Sequence, residues 1–280
     1  MTFFKNTLAT SAALTCLTSA GIADDDWTYN TENNAIGRIY YYERTNTDGS
    51  RDERVTVYRQ DETHIAVYKE ASLCGNAALV TATLDFETFT TPVITGGRLM
   101  PDAEVMEFAF LNHDPGSDIA TMDVRFPDME INESAPIRNQ TWHLFDFDLA
   151  SLTMMTPHLT DPAGHFSFGM ALVWADQTAE DPFTWMGDVA VNYEGDESHI
   201  GHHTRRYSLS GSAFEGELAA GNAGALWLDA EDGHVVDAIF PAPNHPGYTD
   251  FRLRLLHVSD GGAQEWDELL RAHWNNCQSN

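Results

Sequence analysis

Apolar and polar residues alternate with a period of two over most of this chain, and the runs are rich in Tyr, Val, Ile, Phe and Thr. That period places successive side chains on opposite faces of an extended strand. Runs at 36–44 and 54–59 flank Asn46-Thr47-Asp48-Gly49, a turn signal that predicts a hairpin, and 65–69 continues it after Gln60-Asp61-Glu62. Further strands are predicted at 78–85, 105–111, 120–126, 140–146, 166–174 and 189–193. A second hairpin joins 225–228 to 235–240 through Asp229-Ala230-Glu231-Asp232-Gly233. At 251–255, Phe251, Leu253 and Leu255 alternate with Arg252 and Arg254, giving one core face and one polar face. Helical spacing is clear only at 264–275, where Trp266, Leu269, Leu270 and Trp274 recur on one stripe. The segment 126–139 reads as a long connection. The expected fold is therefore all-β, a large curved antiparallel sheet of half-barrel or barrel-like form with a C-terminal α-helix.

The first residues change the length of chain to be folded. Lys5 precedes a modestly apolar stretch from 7 to 20, and Gly21-Ile22-Ala23 stands ahead of Asp24-Asp25-Asp26. A basic start, an apolar centre and small residues at the end form the pattern of a secretory signal peptide, so 1–23 is expected to be removed and 24–280 to form a single β-rich domain. A lipid anchor at Cys16 is disfavoured, because Ala13-Leu14-Thr15 sets the leucine one position late. Beyond residue 23 no stretch approaches the roughly 20 apolar residues of a membrane-spanning helix. The expected compartment is the periplasm or the exterior. Loss of the leader leaves Cys74 and Cys277, an even pair in a compartment where disulfides persist, and a bridge between them is expected.

Charge then removes a class of partners. The 280 residues carry 15 Lys and Arg against 43 Asp and Glu. Without Lys5, 14 cations face 43 acids, a net of −29. Such a chain repels phosphate backbones and anionic lipid surfaces, so nucleic-acid binding is excluded. Lys69 is the only lysine after Lys5.

Specific chemical motifs are scarce. The sequence holds no His-Glu-x-x-His, no phosphate-cradling Gly-x-x-x-x-Gly-Lys and no Cys-x-x-Cys, and no cofactor is expected. Gly164-His165-Phe166-Ser167-Phe168-Gly169 misses the nucleophile elbow, because His165 stands where a glycine is needed. The least ordinary segment is 196–207. Read as a strand, it places His199, His203, Arg205 and Tyr207 on one face, and neither face is apolar. It is either a solvated edge or the wall of a polar site. As a wall, His203, Arg205 and Tyr207 suit proton abstraction beside a carboxylate, with Arg binding the anion and His or Tyr moving the proton. Zinc ligation by His199, His202 and His203 with Asp196 meets a geometric objection: 199 and 203 lie about 13 Å apart along a strand. No metal ligand set is assigned. His143, in Trp142-His143-Leu144-Phe145-Asp146-Phe147-Asp148, and His245 with Tyr248, in a turn rich in Pro and Gly, are candidate ligand-binding residues beside His199.

Successive long hairpins and the Trp-bearing strand with its acidic turn, Leu226-Trp227-Leu228-Asp229-Ala230-Glu231-Asp232-Gly233, resemble the periplasmic half-barrels of the lipoprotein-carrier type. The resemblance implies a curved antiparallel sheet wrapped around a helical plug and holding acyl chains. Two functions follow as expectations. One is an exported protein that binds an apolar or amphiphilic, lipid-like small molecule, suggested also by aromatic strands such as Tyr40-Tyr41-Tyr42. The other is a secreted enzyme acting on a glycan or small carboxylate through 199–207.

Overall fold

A computed structural model describes residues 26–126, 129–174, 181–216, 221, 223–275 and 277. The expected leader and Cys16 lie outside the described residues. The first arm of the chain is a meander of eight strands: β1 (Ile39–Thr45), β2 (Glu53–Arg59), β3 (His64–Glu70), β4 (Ala77–Asp85), β5 (Thr90–Leu99), β6 (Val105–His113), β7 (Ile119–Phe126) and β8 (Met129–Pro136). The second arm holds β9 (Trp142–Leu144), the short helix α1 (Ala150–Met155), β10 (His165–Val173), β11 (Phe183–His199), β12 (His202–Ser210), β13 (Gly224–Asp229), β14 (Val235–Phe240), β15 (Phe251–Ser259) and helix α2 (Gly262–Asn275). All fifteen strands join one curved, unclosed sheet, ordered β8 to β1 and then β15 down to β9. Every neighbouring pair is antiparallel except β9 with β10.

Alternation explains what the sheet encloses. Tyr40 and Tyr42 of β1, Val55 and Val57 of β2, and Ile65 and Val67 of β3 point to the inside, where they meet Phe145, Phe147 and the fully buried α1. The same strands turn Ile39, Tyr58, Ala66 and Tyr68 outward, and α2 covers them with Trp266 and Leu270. Trp266 stacks on Tyr58 at 5.2 Å, and the Tyr68 hydroxyl meets His273 Nδ1 at 2.7 Å. The expected Cys74–Cys277 bridge is present, with the Cα atoms 5.5 Å apart. It fixes the end of α2 to the turn between β3 and β4.

Two expectations need revision, and two elements were not expected. The connection at 126–139 contains β8, an edge strand whose Glu130, Glu133 and Pro136 hide its extended form while protecting the edge from pairing with other chains. β5 is absent from the expected strands, and its Pro92, Gly96 and Gly97 are residues that weaken a strand pattern. Pro92 lies where the register with β4 shifts, and the two glycines flank the shift with β6, so bulges absorb all three. The strand expected at 140–146 ends at Leu144, where the chain turns through a 3-10 helix at Phe145–Phe147. α1 escaped because its residues are buried all round and carry no amphipathic stripe.

Candidate functional site

Three adjacent strands place a charge at the same end of their inward faces. Arg44 follows Tyr42 on β1, Glu53 precedes Val55 on β2, and Lys69 follows Val67 on β3. Glu53 is paired directly with Arg44, and Lys69 with Val55. The apolar lining of the sheet thus gives way to a buried layer of charge, with Arg44 fully buried and Lys69 nearly so.

The opposing charges come from the inner chain. After the Phe145–Phe147 turn, Asp148 and Leu149 both adopt left-handed backbone conformations, at φ 49° and 57°. Two such residues in sequence are costly for non-glycine side chains and are held by their surroundings. Here Asp148 is clamped from three sides. Its carboxylate lies 2.5 Å from Lys69 Nζ and 3.9 Å from Arg44 Nε, and Oδ1 accepts from Asn244 Nδ2 at 2.7 Å. Lys69 also donates to the Asp146 carbonyl at 2.5 Å. Arg44 donates to Asn244 Oδ1, and its guanidinium lies 3.1 Å from the Tyr248 ring centroid. The loop bearing Asn244, His245 and Tyr248 is tied to the first hairpin: Thr47 N donates to Asp250 Oδ1 at 2.8 Å and Thr249 N to Asn46 Oδ1 at 3.1 Å.

This layer forms one end of a cavity of about 540 Å³. Val80, Ile94, Leu111, Met122, Val124 and Phe147 are among its apolar walls, while Glu53, Lys69, Asp146, His245 and Tyr248 form its polar end. An apolar pocket with a few convergent polar groups is the usual form of a small-molecule site. Burial governs the ionisation of that end. It pushes the Asp146 carboxyl up to about 7, against the pull of Lys69. It also raises Glu53, with the nearby Asp148 adding to the effect. Burial opposes the charge on Asp148, yet the Lys69 and Arg44 cations hold its carboxyl below the ordinary value. His245 falls to about 3 through burial and the Lys69 charge, so its imidazole is neutral. Lys69 donates to the Asp146 carbonyl, is ion-paired with Asp148 and lines the cavity.

Of the residues singled out from sequence, His245 and Tyr248 meet at this cavity. His143 is fully buried elsewhere, its Nδ1 2.9 Å from Ser151 Oγ, and burial lowers it to about 3. His199 lies on the outer face, with Nε2 2.8 Å from Asp237 Oδ2 and its ring stacked on Trp227 at 4.2 Å. His203, Arg205 and Tyr207 share one side of β12 but pass from solvent to core: His203 is exposed, Arg205 half-buried and Tyr207 fully buried. The Tyr207 hydroxyl donates to the Pro162 carbonyl at 2.5 Å, and burial raises its pKa. The cavity residues Glu53, Lys69 and Asp146 were missed from sequence, together with Arg44 and Asp148 of the adjoining charge layer; the readable signal was Lys69, in phase with Ile65 and Val67, a charge on an apolar face. No known protein family matches the chain, and no curated protein matches it.

Proposed function

We propose that this protein is exported and binds an amphiphilic small molecule, with its apolar body against Ile94, Leu111 and Met122 and its oxygen-bearing end on Lys69. The observation that carries the reading is the apolar cavity, open to solvent in part and bounded at one end by a buried charge layer. The disulfide suits an oxidising compartment, and no helix among the described residues is long and apolar enough to cross a membrane. Native mass spectrometry of protein isolated without detergent tests both parts. The expected spectrum has a chain beginning at Asp24 and a co-purifying lipid-like mass. Ala109→Trp, which fills the cavity, should weaken uptake of a fluorescent fatty acid by more than about tenfold, a loss of roughly 1.4 kcal/mol. A clean unliganded spectrum together with no fatty-acid uptake would sink the binding reading.

One observation favours a second reading, in which the cavity also transfers a proton. Asp146 combines a pKa near 7 with a place in the cavity wall, and its Oδ1 is buried without a hydrogen-bond partner. A carboxyl of that kind is suited to donate a proton at neutral pH. The sign is fixed by the raised pKa: Asp146 carries its proton below about 7 and loses it above. Binding of a ligand whose oxygen accepts from Asp146 should therefore weaken several-fold as pH rises through 7, and Asp146→Asn should flatten that profile. An unchanged profile in Asp146→Asn removes Asp146 from the site's chemistry.

A further inference from the structure

A second cluster lies away from the cavity, where β13 ends and β14 begins. The turn is held by its own backbone: Gly233 N donates to the Asp229 carbonyl at 3.0 Å and Asp229 N to the His234 carbonyl at 2.9 Å. Asp229 Oδ1 accepts from the amides of Glu231 and Asp232, at 2.9 and 2.8 Å. Those bonds fix the orientation of its carboxylate and leave Oδ2 for another partner. Asp232 sits half-exposed above it, with Oδ2 2.8 Å from Arg38 Nη1. Beneath them His234 is 4 % exposed, its ring against Tyr40 at 5.1 Å. One ligand atom from each of Asp229, Asp232 and His234 lies within 4.8 Å of the others. On the neighbouring strand, His202 Nδ1 is 3.9 Å from Asp229 Oδ2.

The independent observation is the state of His234. Both ring nitrogens are buried and neither has a hydrogen-bond partner. A buried polar atom left unsatisfied costs about 1–3 kcal/mol, so a partner from outside the chain is called for. One imidazole and two carboxylates at this spacing, with the His202 imidazole beside Asp229, define its chemistry. Imidazole nitrogen suits zinc and its neighbours among the transition metals, whereas calcium and magnesium take oxygen ligands. With His202 recruited as a fourth ligand the set would be closed and tetrahedral, the arrangement of a structural ion. Arg38 competes for Asp232, but it engages Oδ2 and leaves Oδ1.

We propose that Asp229, Asp232 and His234, joined by His202 across the strand pair, bind a single zinc-like divalent cation that ties the β13–β14 turn to β12. The site is separate from the cavity and does not depend on what the cavity holds.

The mature protein, stripped with chelator and titrated with zinc chloride, should take up one ion per chain by native mass spectrometry and melt at a higher temperature. Calcium and magnesium should shift neither. Asp232→Asn, at a half-exposed position that does not threaten folding, and His234→Ala should each weaken zinc binding by roughly tenfold or more. Absence of a one-to-one zinc adduct would overturn the proposal and leave a buried water as the partner of His234. So would one-to-one binding left unchanged in Asp232→Asn and His234→Ala, since the ion would then be held by other carboxylates of this acidic surface.

Discussion

Opening the Cys74–Cys277 bridge should lower the stability of the folded chain by roughly 4–5 kcal/mol, the largest loss expected from a single bond. The bridge joins residues separated by 203 positions and so restricts much of the unfolded ensemble. In a domain of this size about 1 kcal/mol corresponds to roughly 2–4 °C, so the melting temperature should fall by about 10 °C or more. The contacts of α2 set how the loss is distributed. Trp266 on Tyr58, His273 Nε2 against the Gly75 carbonyl at 3.0 Å and Cys74 N donating to the His273 carbonyl at 3.3 Å hold the helix without the sulfurs. The reduced protein should therefore keep its sheet at low temperature while the last turns of α2 exchange amide hydrogens faster. Thermal unfolding with and without reductant, and a count of thiols in the denatured, unreduced chain, check this. Two reactive thiols per chain after loss of the leader would show that the bridge does not form.

The second large effect is expected at Lys69. Lys69→Met keeps most of the side-chain length but removes the charge 2.5 Å from a fully buried carboxylate. Arg44, at 3.9 Å, and the Asn244 amide remain near Asp148, and neither replaces the ammonium. Breaking a buried pair from one side leaves an uncompensated charge and costs about 3–5 kcal/mol. If that is the cause, adding Asp148→Asn should recover a large part of the loss, because the stranded charge goes with it. A double-mutant cycle by urea unfolding measures the coupling. A loss below about 1 kcal/mol in Lys69→Met, or strictly additive effects in the cycle, would show that the charge layer is solvated. A substantial recovery would show that the loss comes from the stranded Asp148 charge rather than from lost packing.

The period-two pattern made most of the sheet legible, because strands with one apolar face carry their own register. Phe251, Leu253 and Leu255 are buried as expected, while Arg252 donates to Asp237 and Arg254 to Glu43 on the other face. The helix at the C-terminus was legible from its own stripe of apolar residues, and the disulfide from the even pair of cysteines beyond the expected leader. Elements that broke local rules were not. Pro92 and the Gly96-Gly97 pair disguised a central strand, since a bulge is a property of two paired strands and leaves no mark on one. The candidate site was legible only in its loop, where His245 and Tyr248 stand out among prolines and glycines. Its charged members looked like surface residues on alternating strands. Arg44, Glu53 and Lys69 become a cluster only when three strands are aligned, and Asp146 and Asp148 join them only because the inner segment turns back after Leu144. Conversely, the polar residues at 199–207 drew attention by composition, yet the burial gradient along β12 carries them from water to core.

The order of the strands has a topological consequence. Apart from β1 with β15, each hydrogen-bonded pair consists of strands consecutive in the chain, and the break in the sheet falls between β8 and β9, which are also consecutive. The molecule is thus a nearly cyclic permutable meander, interrupted at one seam and closed by one long-range pairing. New chain ends placed in the 137–141 link would leave all the strand pairings intact, and joining the old ends would shorten the chain separation across the β1–β15 pairing. In the natural order, among the described residues, twelve antiparallel pairings and the parallel β9–β10 pairing join strands consecutive in the chain, and the largest loop-closure entropy falls on the step that brings β1 to β15. The Cys74–Cys277 bridge spans that same divide between the two arms, so its formation shortens the loop that this last pairing must close.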